Sequence, residues 1–137
     1  MTMKILIICT GNSCRSQMAE GFFKHYKKDW EIYSAGISPK GLNPYAIDVM
    51  LEKGIDISNQ TSDSIDIYIS NEFDYVITVC DRAKETCPVF LNAKTSLHWG
   101  FMDPADAVGT YEERINKFRE VRDQIEEKIT QFLKEFK

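Results

Sequence analysis

The hydrophobic pattern opens with an unbroken run, Ile5-Leu6-Ile7-Ile8, bounded by Lys4 and by the polar residues that follow Cys9. A short apolar run without alternation predicts a strand buried on both faces. From Ser16 to about Lys27 the spacing turns helical, with Met18, Ala19, Phe22 and Tyr26 expected on one apolar face. Glu31 to Ser34 reads as a short strand that leaves through the small residues Ser34-Ala35-Gly36. Asn43-Pro44 predicts a helix start, with Asn43 as cap and Pro44 at the first helical position. In that helix Ile47, Met50 and Leu51 are expected to face inward, and Gly54 to end it. The polar stretch from Ile55 to Asp63 reads as a loop that supports the Cys9 loop from behind, and Ser64 to Asn71 fits a short helix or a strand. Tyr75 to Val79 is a second buried strand ending at Cys80, and Thr95 to His98 is a fourth strand before Gly100-Phe101-Met102-Asp103-Pro104-Ala105-Asp106. Thr110 and Glu113 form a capping-box pattern that starts a long last helix. Its inner face is expected to carry Ile115, Phe118, Arg122, Ile125, Ile129, Phe132 and Phe136.

Strands alternating with helices imply an α/β fold: a single-domain, open four-stranded parallel sheet flanked by helices, over residues 1–137. Open α/β sheets bind ligands at the carboxyl ends of their strands, which is where Cys9 and Cys80 fall. Neither repeats nor a linker interrupt the chain. A net charge of −4, with no run of Lys or Arg, argues against a nucleic-acid or membrane-surface role. The opening apolar run is too short for a signal peptide and no stretch is long enough for a membrane span, so a cytoplasmic protein is expected. Four cysteines in a reducing compartment read as catalytic, redox or metal-binding rather than as a disulfide framework. Metal is the weaker option, because no C-x2-C pair occurs and His25 and His98 stand apart as ordinary surface or partly buried residues.

The chemistry concentrates between Cys9 and Ser16. A loop of Thr10, Gly11, Asn12, Ser13 and Cys14 between strand and helix can converge its backbone N–H groups on an anion, and the helix N-terminus adds its positive dipole end. Arg15 supplies a planar fork for two oxygens of a tetrahedral oxyanion. The same positive surroundings favour a Cys9 thiolate, to which Ser16 can donate its hydroxyl. A thiolate aimed into an anion cradle is suited to attack phosphorus or arsenic.

A second pair of cysteines, Cys80 and Cys87, lies in C-D-R-A-K-E-T-C-P. Were this segment one helix, the two Cα atoms would stand about 10 Å apart at about 1.5 Å per residue. A disulfide needs about 4.4–6.8 Å. The pair is therefore either two buried thiols or a redox couple whose segment changes conformation when it bonds; a thiolate loop on the same sheet edge favours the couple.

The stretch C-T-G-N-S-C-R-S-Q-M-A-E-G from Cys9 resembles the loop of the low-molecular-weight tyrosine phosphatase superfamily and, within it, the thioredoxin-coupled arsenate reductases. Y-S-A-G-I-S-P-K-G-L-N-P from Tyr33, G-I-D-I-S-N-Q-T-S-D from Gly54, V-I-T-V-C-D-R-A-K-E-T-C-P from Val76 and H-W-G-F-M-D-P-A from His98 resemble the reductases too, so the likeness covers nearly the whole chain. It implies that arsenate, or phosphate or sulfate in its place, sits in the loop from Thr10 to Ser16. Cys9 would attack arsenic and Asp103 would protonate the leaving oxygen. Cys80 and then Cys87 would carry the disulfide away to thioredoxin. Some relatives hold potassium behind the loop; the matching oxygen-bearing residues are Asn12, Glu20, Ser34, Thr61 and Asp63, which read equally well as a hydrogen-bond network stiffening the loop. No cofactor is required by this scheme. Cys14 has no step in it, although a thiol so near Cys9 could form off-pathway disulfides.

Two other functions use the same residues. A phosphatase acting on phosphotyrosine or small phosphate esters would form a phosphocysteine on Cys9 with Asp103 as acid. It would leave Cys80 and Cys87 without a task, and the chain has Ala105-Asp106-Ala107 where such phosphatases usually carry tyrosines after Asp-Pro. An oxyanion-sensing binding protein would have no use for a general acid at Asp103.

Overall fold

The computed structural model describes residues 2–81, 90 and 92–136. Four parallel strands, β1 (Lys4–Cys9), β2 (Glu31–Gly36), β3 (Phe73–Thr78) and β4 (Ala93–His98), form one sheet in the order β2-β1-β3-β4. The strand carrying the nucleophile candidate is thus interior, with Ile8 in register with Ala35 on one side and with Thr78 on the other. Its run from Ile5 to Ile8 is fully buried, as an unalternating apolar run requires.

Three α-helices, α1 (Arg15–Tyr26), α2 (Pro44–Leu51) and α3 (Tyr111–Leu133), pack on the face of the sheet that carries Ile5, Ile7 and Ile77. Met18, Phe22 and Phe23 of α1 meet Ile125, Ile129 and Phe132 of α3 there. Leu6, Ile8, Ala35, Phe73 and Val76 face the other way, against Phe90 and a 3₁₀ turn at Ile65–Tyr68. That turn resolves the ambiguous stretch from Ser64 to Asn71, and Ser64 also bridges to Gly36 as a parallel extension of β2.

The cap signals hold. Asn43 accepts from Tyr45 N at the start of α2, and Thr110 and Glu113 close a reciprocal box at the start of α3. Face assignments in the shorter helices differ from expectation. Ala46, Val49 and Met50 form the buried stripe of α2, while Leu51 is exposed; Gly54 closes the helix as expected, its left-handed φ of 77° letting Gly54 N donate to Leu51 O and Ile55 N to Met50 O. Tyr26 is also exposed; its hydroxyl donates to Glu126 on α3, and Phe23 takes the inward position. On α3, Val121 joins the buried stripe, and Phe136 lies past the helix end, half-buried against Trp30 and Tyr75.

Candidate active site

The loop after β1 is built so that its amides face inward. Thr10 O accepts from Ser38 N, Gly11 O from Lys40 N, Ser13 O from Asn43 N, and Cys14 O from Met18 N. Asn12 O accepts from the Gln17 amide and the Ser62 hydroxyl. Every carbonyl from Thr10 to Cys14 is therefore committed outward. Since C=O and N–H of one planar trans peptide point opposite ways, the N–H groups of residues 11 to 15 turn toward the inside of the loop. Asn12 N is the one aimed at Cys9, at 3.2 Å from Sγ.

Asn12 has a φ of 44°, unusual for a residue with a Cβ. Its buried side chain holds it there: Oδ1 accepts from Ser16 Oγ at 2.8 Å, and Nδ2 donates to Ser34 O and Asp63 O. Gly36 is the other conformational requirement, because a Cβ there would lie 2.6 Å from Thr10 O and 2.8 Å from Asn12 N. The β2 exit of small residues thus exists to let the Cys9 loop lie against it.

Cys9 ends β1, is buried, and places Sγ 2.9 Å from Ser16 Oγ. Helix α1 begins at Arg15 with no side-chain cap at its N-terminus, in contrast to α2 and α3. Uncapped first-turn amides beside a thiol suit an oxyanion. Arg15 is almost fully buried; Nη1 donates to Phe101 O and Nη2 lies 3.6 Å from Asp103 Oδ2. Asp103 caps the 3₁₀ turn at Pro104–Asp106, its Oδ1 accepting from Ala105 N at 3.0 Å and from the Cys14 thiol at 3.4 Å. The turn-residue role and a position facing the cleft coexist. Burial, reinforced by the Asp103 charge, pushes the Cys14 thiol pKa well up, so Cys14 stays protonated beside the carboxylate.

These groups line one cleft of about 350 Å³. Cys9, Thr10, Gly11, Ser13, Cys14, Arg15 and Asp103 all border it, while Asn12 and Ser16 stand behind as supports. Lys40, Asn43, Ala105 and Asp106 complete the rim. Sequence reasoning noted Ala105 and Asp106 only for the absence of tyrosines there and did not single out Lys40 or Asn43 as cleft residues; the spacing of the loop from Ser38 to Asn43 carries no periodic signal, and its pairing with the Cys9 loop brings it there.

Cys80 lies two residues past the end of β3, the strand paired with the one that ends in Cys9, and is fully buried. It is disulfide-bonded, whereas Cys9 and Cys14 are free thiols. Cys87, and with it the geometry of the segment after Asp81, lies outside the described residues. The residues proposed for potassium gather behind the loop, tied by the Asn12 bonds and by Thr61 Oγ1 to Asp63 and Ser34 Oγ to Glu20. The other Glu20 oxygen takes the Lys24 ammonium, so a cation from the chain already meets that buried carboxylate. Among the described residues no group of three or more His, Cys, Asp or Glu is clustered for a metal; His25 is exposed, and His98 bonds Thr78 through Nδ1.

Residues 4–137 match the family described as low molecular weight phosphotyrosine protein phosphatase. An arsenate reductase of Shouchella clausii is 54% identical over 134 residues, 96% of either chain. A solved arsenate reductase in its phosphate-binding state superimposes with a TM-score of 0.83 at 33% identity, covering 98% of this chain and 99% of that one. A thioredoxin-dependent arsenate reductase of Corynebacterium glutamicum gives 0.71 at 26% identity, covering 98% of this chain and 60% of its own. With its strand, anion loop and Asp-Pro turn, the chain belongs to the low-molecular-weight phosphotyrosine phosphatase family, in the arsenate reductase branch.

Proposed function

We propose that this protein reduces arsenate to arsenite through a relay of Cys9, Cys80 and Cys87 that thioredoxin regenerates, as a means of arsenic detoxification. The observation that carries the reading is the position of Cys9 Sγ at the floor of an amide-lined cleft with Asp103 beside it, one strand away from Cys80. The Cys9 thiolate attacks arsenic and an S–As bond forms. Asp103, in its protonated form, gives that proton to an arsenate oxygen that already carries one, and the As–O bond breaks to release water. The Cys80 thiolate then attacks Cys9 Sγ. An S–S bond forms, the S–As bond breaks with its electron pair left on arsenic, and As(V) becomes As(III). Attack of the Cys87 thiolate on Cys80 frees Cys9, and a dithiol partner takes over the second disulfide by exchange. The thioredoxin dependence stated for the C. glutamicum neighbour supports thioredoxin in that role.

The same loop supports slow hydrolysis of an activated aryl phosphate through a phosphocysteine, with Asp103 as acid. We read the Glu20 network as working without an added ion, Lys24 supplying the positive charge. The test is arsenate-dependent NADPH oxidation coupled to thioredoxin and thioredoxin reductase, comparing wild type with Cys87→Ser and repeating it with potassium exchanged for tetramethylammonium. Sustained turnover by wild type alone, in both salts, is the expected result. Absence of turnover in both proteins, with fast aryl phosphate hydrolysis by each, makes the protein a phosphatase.

A further inference from the structure

We propose that Lys40 is an oxyanion-recruiting residue of the cleft, the cation that keeps its rim from being net negative. This rests on the arsenate reading above and adds a residue to it. Two observations place Lys40. Its backbone N donates to Gly11 O at 2.9 Å, pinning the residue to the Cys9 loop. Its stem then folds over that loop: a Cβ at Gly11 would lie 3.3 Å from Lys40 Cδ, 3.6 Å from Cγ and 3.7 Å from Cε. A lysine held along its methylenes delivers its ammonium to a fixed region, here the mouth of the cleft it lines.

The charges around that mouth are few. Arg15 and Lys40 are the cations among the lining residues, Asp103 and Asp106 the anions. Arg15 faces Asp103 at 3.6 Å, so much of its field toward an approaching anion is cancelled while Asp103 is ionised. Asp106 repels. Lys40 has no carboxylate within ion-pair distance among the described residues. With it the four side chains sum to zero; without it they sum to −1, and a dianion would enter against a net negative rim. Rim charges act chiefly on capture and its salt dependence, while the bond-making groups set the chemical step.

The test measures inorganic phosphate binding by calorimetry and arsenate kinetics in the thioredoxin-coupled assay, for wild type, Lys40→Met and Lys40→Arg, at two ionic strengths. Met keeps the methylene packing over Gly11 and removes only the charge. Lys40→Met is expected to raise both the phosphate Kd and the arsenate KM by about three- to tenfold, to leave kcat unchanged, and to flatten the salt dependence of both. Lys40→Arg restores all three. A Lys40→Met protein with wild-type phosphate Kd and wild-type salt slope overturns the proposal. Phosphate binding is read without turnover, so a wild type that binds phosphate in a Lys40-dependent way yet never reduces arsenate sinks the reductase reading and leaves this one standing.

Discussion

Cys14 is a residue whose environment departs far from its chemistry in water. A thiol would ordinarily ionise near pH 8.5, but burial and the neighbouring Asp103 charge hold its pKa far above that in the folded protein. The linkage has a definite sign. Below pH 8.5 folded and unfolded chains both keep the proton; above it the unfolded chain releases it and the folded chain does not, so stability falls as pH rises. Cys14→Ser keeps a donor toward Asp103 Oδ1 and removes the titration. Between pH 9 and 10 the wild type should lose about 1.4 kcal/mol per pH unit more than Cys14→Ser, read from urea unfolding at pH 7, 9 and 10. Parallel curves for the two proteins would show that Cys14 titrates normally. Under the proposed function, the proton held on Cys14 would keep it from competing with Cys9 as a nucleophile in the cleft.

At the scale of elements, the contacts that matter join a strand end or helix end to something distant. Arg122 Nη1, on α3, donates to Val49 O at 2.9 Å in the last turn of α2, where a helix carbonyl has no partner of its own, and to Glu52 Oε1 at 2.7 Å. Arg122→Met fills the same stripe but leaves Val49 O unmet. It should cost about 1–3 kcal/mol in denaturant unfolding, with turnover at 25 °C unchanged. Gly36 ties β2 to the Cys9 loop in the opposite way, by having no side chain. Gly36→Ala brings a carbon against Thr10 O and Asn12 N, which are backbone and cannot swing aside. A loop shifted by about an ångström should lower kcat/KM for arsenate at least about a hundredfold, with the circular dichroism of the fold retained. The sequence pattern made β1, its loop and the start of α1 legible because they are contiguous and each signal is local. The caps at Asn43 and Thr110 were legible for the same reason. The exposed sides of Tyr26 and Leu51 were not: a helix face turns about 100° per residue, and in helices of twelve and eight residues the neighbours decide which side is covered. Lys40 was illegible because its place in the cleft comes from hydrogen bonds to a loop some thirty residues earlier.

Over the whole molecule, the cleft is assembled by the Cys9 loop, the segment from Ser38 to Asn43 and the turn from Asp103 to Asp106, around a strand interior to the sheet. The outward commitment of the carbonyls from Thr10 to Cys14 has a consequence for life in a phosphate-rich medium. A receptor made of fixed main-chain amides responds to the charge and tetrahedral form of its guest. The size difference between phosphate and arsenate is smaller than the ordinary spread of hydrogen-bond lengths. Under the proposed function such a receptor would admit both ions with similar affinity, and abundant phosphate would occupy it most of the time. Under the proposed function, discrimination falls to the step after capture, because only the arsenic adduct can leave by taking up an electron pair from sulfur. The protein would then tolerate phosphate as a competitor it cannot refuse, and protection against arsenate would weaken as the phosphate supply rises.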